Sequence, residues 1–162
     1  MIGRENRFFM RLSALSENES FARSSVAAFA LTLDPTLEEL SDIKTAVSEA
    51  VTNCIVHAYE GAEDKYIDMT VIAANDSLTV IVKDEGCGIE DLDRALTPFF
   101  TTKQEDERSG MGFTIMKTFM DEFNVVSAKG QGTQVTMTKF IRGARDAQSR
   151  RDAQIDRTCQ NG

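Results

Sequence analysis

Hydrophobic residues recur along the chain with two different periods, and the changes of period mark the predicted elements. Apolar and polar positions alternate over residues 7–15, which predicts a β-strand. In two following stretches, 16–33 and 36–58, apolar residues return every three or four positions and form one helical stripe. Asp34-Pro35 separates these two helices because the residue before a proline disfavours helical backbone.

Both predicted helices begin with the sequence pattern of a capping box. Ser16 and Glu19 form the first pattern, and Thr36 and Glu39 repeat it. In a capping box, the N-cap hydroxyl accepts a hydrogen bond from the third backbone amide, and the carboxylate there accepts one from the N-cap amide. We therefore expect the two helices to be capped by Ser16 and Thr36.

The second half of the chain predicts four more strands and one more helix. Tyr66–Ala73 and Leu78–Lys83 are joined by a short polar turn, which is typical of a hairpin. Two further strands are expected around Val125–Ala128 and over Thr133–Ile141. The apolar positions of the third helix are Gly112, Ile115, Met116, Phe119, Met120 and Phe123. The order predicts an α+β two-layer sandwich, a mixed, mostly antiparallel sheet with about three helices on one face.

Composition narrows the class of protein. The 162 residues, 41% hydrophobic and 27% charged, are typical of a soluble protein with one folded domain. A net charge of −8, with no basic cluster before the tail, argues against direct nucleic-acid binding. No apolar run predicts a membrane span or a signal peptide. The three cysteines form no CxxC pair, so we expect a cytoplasmic location.

The last twenty residues differ from the rest of the chain. The tetrapeptide Arg-Asp-Ala-Gln occurs at 145–148 and again at 151–154, and large apolar residues are almost absent there. Such a segment does not bury enough apolar surface to order itself. We expect a folded domain over 1–142 and a polar, mobile tail over 143–162 whose use the sequence leaves open.

The second predicted helix carries polar residues away from its apolar stripe. Glu49, Asn53 and His57 are spaced by four residues and share one file of the helix. Glu49 and Asn53 point about 150° away from the stripe, at about 100° per residue. This file is either a solvated face or the wall of a site, and the segment alone leaves both interpretations open.

A carboxylate and two glycines follow the third predicted strand. Asp84 can accept a hydrogen bond from an exocyclic amine, which would distinguish adenine from guanine. Gly86 and Gly88 allow positive φ and the close approach of a flat ligand, although a tight surface turn is the alternative. Thr133, after the last turn, belongs to an ordinary hairpin or reaches Asp84 through a water.

A second glycine pair opens the third helix. Gly110 and Gly112 would expose backbone N–H groups at a helix N-terminus, where phosphate is favoured. The alternative is a flexible loop that enters a core helix. Upstream, Thr101, Thr102 and Lys103 suit a lid that closes over a triphosphate, and an exposed charged loop is the alternative.

The order of these segments resembles a known superfamily. Over residues 5–141 they follow the N, G1, G2 and GT boxes of the GHKL ATPases, which include gyrase, histidine kinases and the mismatch-repair protein MutL. The runs ENESFAR, SEAVTN, DEGCGI, FFTTK and ERSGMGFTIM resemble, more narrowly, the anti-sigma F factor family of endospore-forming bacteria. General-stress anti-sigma kinases share the boxes, but their lid and first helix are less similar to these runs.

The resemblance implies the Bergerat ATP-binding fold and assigns roles to individual residues. Glu49 corresponds to the general base, and Asn53 to the residue that binds Mg²⁺ through its side-chain oxygen. Asp84 corresponds to the adenine-binding carboxylate, with Gly86 and Gly88 giving the base its approach. The other nucleotide-binding positions are Thr101, Thr102, Lys103, Ser109, Gly110, Met111, Gly112 and Thr133.

Two residues need separate interpretation. Arg108 occupies the position of the first glycine in the usual GxGxG end of the lid. As a catalytic cation it would neutralise charge on the transferred phosphoryl group, and as a surface cation it would bind a protein partner. His57 is expected to be structural or a neighbour of the site rather than a phosphoacceptor.

The resemblance also implies partners. The family members are ATP- and Mg²⁺-dependent protein-serine kinases and homodimers, with N-terminal strands in the interface. They bind and inhibit sigma F and phosphorylate a Ser of an anti-anti-sigma factor, and the added dianion drives that substrate away. Arg23 corresponds to a surface position shared by both partners. A general-stress-type anti-sigma kinase and a non-catalytic, nucleotide-gated sigma-binding module are the alternatives, and Glu49 argues against the second.

Overall fold

A computed structural model describes residues 5–98, 111–143 and 149 of the chain. Within these ranges five strands form one sheet, and the helices pack on one of its faces. The elements are β1 (Asn6–Ser13), α1 (Asn18–Ala30), a 3₁₀ turn (Leu31–Leu33), α2 (Leu37–Asn53), a π-helical turn (Cys54–Ala58), β2 (Tyr66–Ala74), β3 (Ser77–Asp84), α3 (Leu92–Ala95), α4 (Gly112–Phe119), β4 (Glu122–Ser127) and β5 (Thr133–Phe140).

The sheet has the strand order β1-β2-β3-β5-β4, and each of its four pairings is antiparallel. The predicted two-layer α+β sandwich is confirmed, with a sheet more regular than the mixed one expected. The hairpin between β2 and β3 is confirmed as well, and its tight turn places Asn75 and Asp76 at positive φ. Two-residue turns of this kind match the twist of antiparallel strands.

The core lies between the inner face of the sheet and helices α1, α2 and α4. Every second residue of β2 and β3 is buried, as the period of two requires. The predicted stripe of α2 supplies Ile43, Val47 and Val51, each fully buried. This packing fixes the rotation of α2, so its polar side turns away from the core.

One predicted capping box is confirmed and the other is wrong. Thr36 Oγ1 accepts a hydrogen bond from the Glu39 amide at 3.1 Å, and the Thr36 amide donates to Glu39 Oε2 at 2.8 Å. Helix α1 instead begins at Asn18, its N-cap position is Glu17, and no side-chain cap is formed. The Glu19 carboxylate is engaged elsewhere, by Arg23 and by α2, and so does not reach back to the helix start.

The predicted end of the third helix is also wrong. Helix α4 ends at Phe119, and Phe123 belongs to β4. Met120 is extended, and Lys139 Nζ binds both the Phe119 carbonyl oxygen and Asp42 Oδ2 at 2.8 Å. The partly buried ammonium thus stabilises the C-terminus of α4, where a cation is favoured. Phe123 still packs near the helix, with its ring 6.1 Å from that of Phe113.

Across the described ranges, no helix is both long and apolar enough to cross a membrane. The expected tail, 143–162, lies outside the described residues except for residues 143 and 149.

Truncation of a core leucine tests this packing. Leu78 is fully buried, and we expect Leu78→Ala to lower the free energy of unfolding by about 2–5 kcal/mol through lost burial and a residual cavity. The matched control is Leu37→Ala, because Leu37 is 87% exposed and its loss should cost about 0.5 kcal/mol or less. Urea denaturation of both variants measures the difference, and equal effects would contradict the assigned core.

Candidate active site

A cavity of about 650 Å³ lies between α2, the loop after β3 and the start of α4. Its volume is within the range of roughly 300–1,000 Å³ that is usual for small-molecule sites. Five predicted site residues line it, namely Asn53, Asp84, Gly88, Gly112 and Thr133. Residues that are distant in the sequence therefore meet in one site.

The polar file of α2 faces the first residue of α4. A Cβ atom added to Gly112 would lie 3.1 Å from Asn53 Oδ1 and 3.2 Å from Glu49 Oε2. Only glycine therefore leaves the carboxylate and amide undisturbed beside the helix N-terminus. Met111 occupies the N-cap position of α4 without a side-chain cap bond. The structure favours the interpretation of the file as the wall of a site over a solvated face.

His57, the third member of the file, also lines the cavity. It lies in the π-helical turn that continues α2, where the backbone spacing departs from 3.6 residues per turn. Its placement fits a neighbour of the site, and its role stays a prediction.

Asp84 supplies a buried carboxylate to the wall of the same cavity. Its side-chain oxygen Oδ1 accepts hydrogen bonds from the Gly86 amide at 2.9 Å and the Thr133 amide at 3.2 Å. Burial raises the pKa of Asp84, while the bonds from Gly86, the Cys54 thiol and Thr133 act in the opposite direction. The carboxylate is therefore fixed by the protein while it lines the cavity.

The two glycines after Asp84 are required by contacts within the protein. A Cβ at Gly86 would lie 2.3 Å from the Ala58 carbonyl oxygen, and a Cβ at Gly88 would lie 1.9 Å from that of Ala128. Gly88 also has φ +68°. The Cys87 amide donates to the Ala58 carbonyl at 3.0 Å. The two glycines thus allow this loop to pack against the π-helical turn and the β4–β5 turn. The approach of an adenine base to Gly86 and Gly88 stays a prediction.

Thr133 contacts Asp84 directly through its backbone. Its amide donates to the carboxylate, and the water bridge expected from its hydroxyl stays a prediction. The Thr133 hydroxyl lies 2.9 Å from the hydroxyl of Ser127, which accepts from the Ile89 amide at 2.9 Å. Ser127 was missed in the sequence, where its only signal is its position at the end of a strand beside the last turn. Ser127 thereby connects two residues that line the cavity, Ile89 and Thr133.

Glu49 is half-buried and lies close to a second carboxylate. Burial, followed by the charge of Glu19, raises the pKa of Glu49 above the ordinary value. Glu19 in turn binds Arg23 and the hydroxyl of Ser48. Arg23 is on α1 and does not line the cavity, which agrees with its predicted place on an outer surface. The contribution of Glu19 was missed because nothing in the sequence joins it to α2.

Six predicted site residues lie outside the described residues. They are Thr101, Thr102, Lys103, Arg108, Ser109 and Gly110. The expectations for the lid and for Arg108 therefore stay predictions.

Asn53 is the predicted metal ligand, and its donor chemistry fits Mg²⁺. Among the described residues no group of three or more His, Cys, Asp and Glu side chains is placed to hold a metal ion. One amide oxygen suits an ion that takes its other ligands from substrate phosphates and water, which is the usual coordination of Mg²⁺ in nucleotide sites.

Comparison with known proteins gives the family. The family model described as a histidine kinase-like ATPase domain matches residues 12–139. Anti-sigma F factors from Caldanaerobacter subterraneus subsp. tengcongensis and from Bacillus thuringiensis are 56% and 54% identical to this chain. Each comparison covers 84% of this chain, and it covers 94% and 93% of those relatives respectively.

Solved structures support the fold at lower identity. The RsbU and RsbW domains of Rv1364c from Mycobacterium tuberculosis match with a TM-score of 0.57 at 16% identity, over 84% of this chain and 32% of that one. The catalytic domain of the histidine kinase ThkA matches with a TM-score of 0.53 at 16% identity, over 83% and 96%. The family model and the close relatives together place the chain in the anti-sigma F factor family, within the histidine kinase-like (GHKL) ATPases.

Proposed function

We propose that the chain is an ATP-dependent protein-serine kinase and an anti-sigma factor. It binds and inhibits sigma F and phosphorylates a Ser of an anti-anti-sigma factor. One observation carries the kinase part, namely that Glu49 and Asn53 both lie beside Gly112 at the start of α4. Asn53 and Gly112 line a cavity that also contains the buried Asp84. A carboxylate, a hard oxygen ligand and a helix N-terminus are the groups that phosphoryl transfer requires.

Asp84 is proposed to recognise adenine. Its Oδ1 is held by two backbone amides, so the carboxylate has a fixed orientation in the cavity wall. An ionised carboxylate only accepts hydrogen bonds, and it therefore selects the exocyclic amine of adenine against the carbonyl oxygen of guanine. Burial strengthens this selection, because an unpaired polar group costs more where water is excluded.

Glu49 is proposed to act as the general base. The substrate serine oxygen attacks the γ-phosphorus, the bond from that phosphorus to the β–γ bridging oxygen breaks, and ADP leaves with the electron pair. Glu49 accepts the serine proton, and its half-buried position makes it a stronger base than an exposed Glu. Asn53 would hold Mg²⁺ brought with the nucleotide, and the ion would neutralise charge on the phosphates.

The protein partners are proposed from the relatives and from two surfaces. The relatives' printed name, anti-sigma F factor, supports sigma F as the bound protein. Arg23 provides a partly exposed cation on α1 for that partner and for the anti-anti-sigma substrate. Strand β1 is an edge strand, and its Phe9 is 63% exposed, which supports a homodimer with N-terminal strands in the interface. We propose a cytoplasmic location for this complex.

Removal of the proposed general base, Glu49, tests the catalytic assignment. We expect Glu49→Gln to lower the rate of transfer from labelled ATP to the anti-anti-sigma factor by about 100-fold or more, because no group accepts the serine proton. The dissociation constant for ATP should stay within about twofold, since Gln keeps the shape of the side chain. Glu63→Gln, at an exposed loop position, is the matched control and should transfer normally. Transfer by Glu49→Gln at the wild-type rate would exclude Glu49 as the base.

The raised pKa of Glu49 predicts where activity declines on the acid side. The base acts only when ionised, so the rate of transfer should fall as the pH drops through its pKa. Because burial and the charge of Glu19 raise that pKa, the fall should be centred above the ordinary Glu value of about 4.3. A profile of kcat against pH measures the midpoint, and a midpoint at or below that value would contradict the environment assigned to Glu49.

Substitution of Asp84, the proposed adenine-binding carboxylate, tests nucleotide specificity. Asp84→Asn keeps an oxygen for the Gly86 and Thr133 amides but adds a competing donor. We expect the dissociation constant for ATP to rise by about tenfold or more and the preference for ATP over GTP to fall. Asp93→Asn, an exposed change on α3, is the control. Nucleotide titrations measure both variants, and unchanged preference in Asp84→Asn would exclude the adenine contact.

A further inference from the structure

Glu19 joins the outer surface of α1 to the catalytic helix. Its two carboxylate oxygens each accept a hydrogen bond from Arg23 Nη1 at 2.9 Å. Its Oε1 also accepts a hydrogen bond from the hydroxyl of Ser48, on α2. Ser48 immediately precedes Glu49, so the bridge ends one residue from the proposed base.

The bridge formed by Arg23, Glu19 and Ser48 is partly shielded from water. The Glu19 side chain is 20% exposed, and that of Arg23 is 38% exposed. Beneath them, Ala22 and Val26 of α1 are buried in the same core as Val47 of α2. Charge-assisted hydrogen bonds are stronger than neutral ones, and partial burial protects them from competing water. The bridge therefore restrains the first turn of α1 against the turn of α2 that carries Glu49.

Glu49 has little other lateral support among the described residues. On the side of α4 it meets Gly112, which has no side chain to hold it. On the side of α1 the nearby charged residue is Glu19, whose charge Arg23 compensates. Small displacements of a catalytic group lower the rate steeply while they leave binding of the bulk of the substrate intact.

We propose that Glu19 is a positioning residue for phosphoryl transfer. Acting through Ser48, it fixes the turn of α2 that aims Glu49, and Arg23 compensates its negative charge beside that base. The inference rests on the proposed kinase function and adds a route from the partner-facing Arg23 to the catalytic turn. A carboxylate of a bound partner that competes for Arg23 would act on the rate of transfer rather than on nucleotide affinity.

The test compares Ser48→Ala, Glu19→Ala and the double variant with the wild-type chain. Phosphate transfer to the anti-anti-sigma factor is measured at saturating ATP and substrate. Each rate is divided by the concentration of nucleotide-binding sites in that preparation, so a variant that is partly unfolded is not mistaken for a slower enzyme. Ser48→Thr keeps the hydroxyl and serves as the rescue variant. Glu17→Ala removes an exposed carboxylate from the N-cap position of the same helix and serves as the control.

We expect each single alanine variant to lower kcat by about 3- to 10-fold, the scale of one hydrogen bond to a charged group. The KM for ATP should stay within about twofold, because the cavity is unchanged. The double variant should be no slower than the slower single variant, since both changes remove the same contact between Glu19 and Ser48. Ser48→Thr and Glu17→Ala should transfer at nearly the wild-type rate.

Wild-type kcat in Ser48→Ala and Glu19→Ala would overturn this inference alone. Multiplicative losses in the double variant would overturn it too, because they would mean that the two residues act separately. If the wild-type chain itself transferred no phosphate, the proposed function would fail and this inference with it.

Discussion

The contact of α2 with the first residue of α4 sets the geometry of the candidate site. Glu49 and Asn53 are one turn apart on α2. Both side chains lie so close to Gly112 that a Cβ atom added there would be 3.1–3.2 Å from their oxygens. The buried stripe of α2 sets the rotation of that helix, and Lys139 anchors the far end of α4. Core packing thereby brings a carboxylate, an amide and a helix N-terminus to one place, which no single segment could assemble.

A second set of buried contacts holds Asp84 in the wall of the cavity. Asp84 lies at the end of β3 and is held by amides from its own loop and from β5. The loop is pressed onto the π-helical turn, which is the direct continuation of α2. Asp84 and the Glu49–Asn53 pair are therefore connected through α2 and the turn that continues it.

Much of this arrangement could be predicted from the sequence. Period alone predicted the strands, α2 and its buried stripe, because those residues pack in the way that their spacing requires. The order of the polar motifs predicted Asn53, Asp84 and Gly112 as parts of one site. Local patterns failed where tertiary contacts competed, as at Ser16, where Glu19 binds Arg23 and Ser48 instead of the helix start. The roles of Glu19 and Ser127 were missed because both depend on partners that are near only after folding.

In the proposed function, Glu49 and Asn53 act together on the γ-phosphate of a nucleotide whose adenine lies on Asp84. A crystal structure of the wild-type chain with a non-hydrolysable ATP analogue and Mg²⁺ tests it most directly. We expect the adenine amine on the Asp84 carboxylate, the ion on the Asn53 amide oxygen and the γ-phosphate beside Glu49. A nucleotide bound in another place, or an ion without a contact to Asn53, would contradict it.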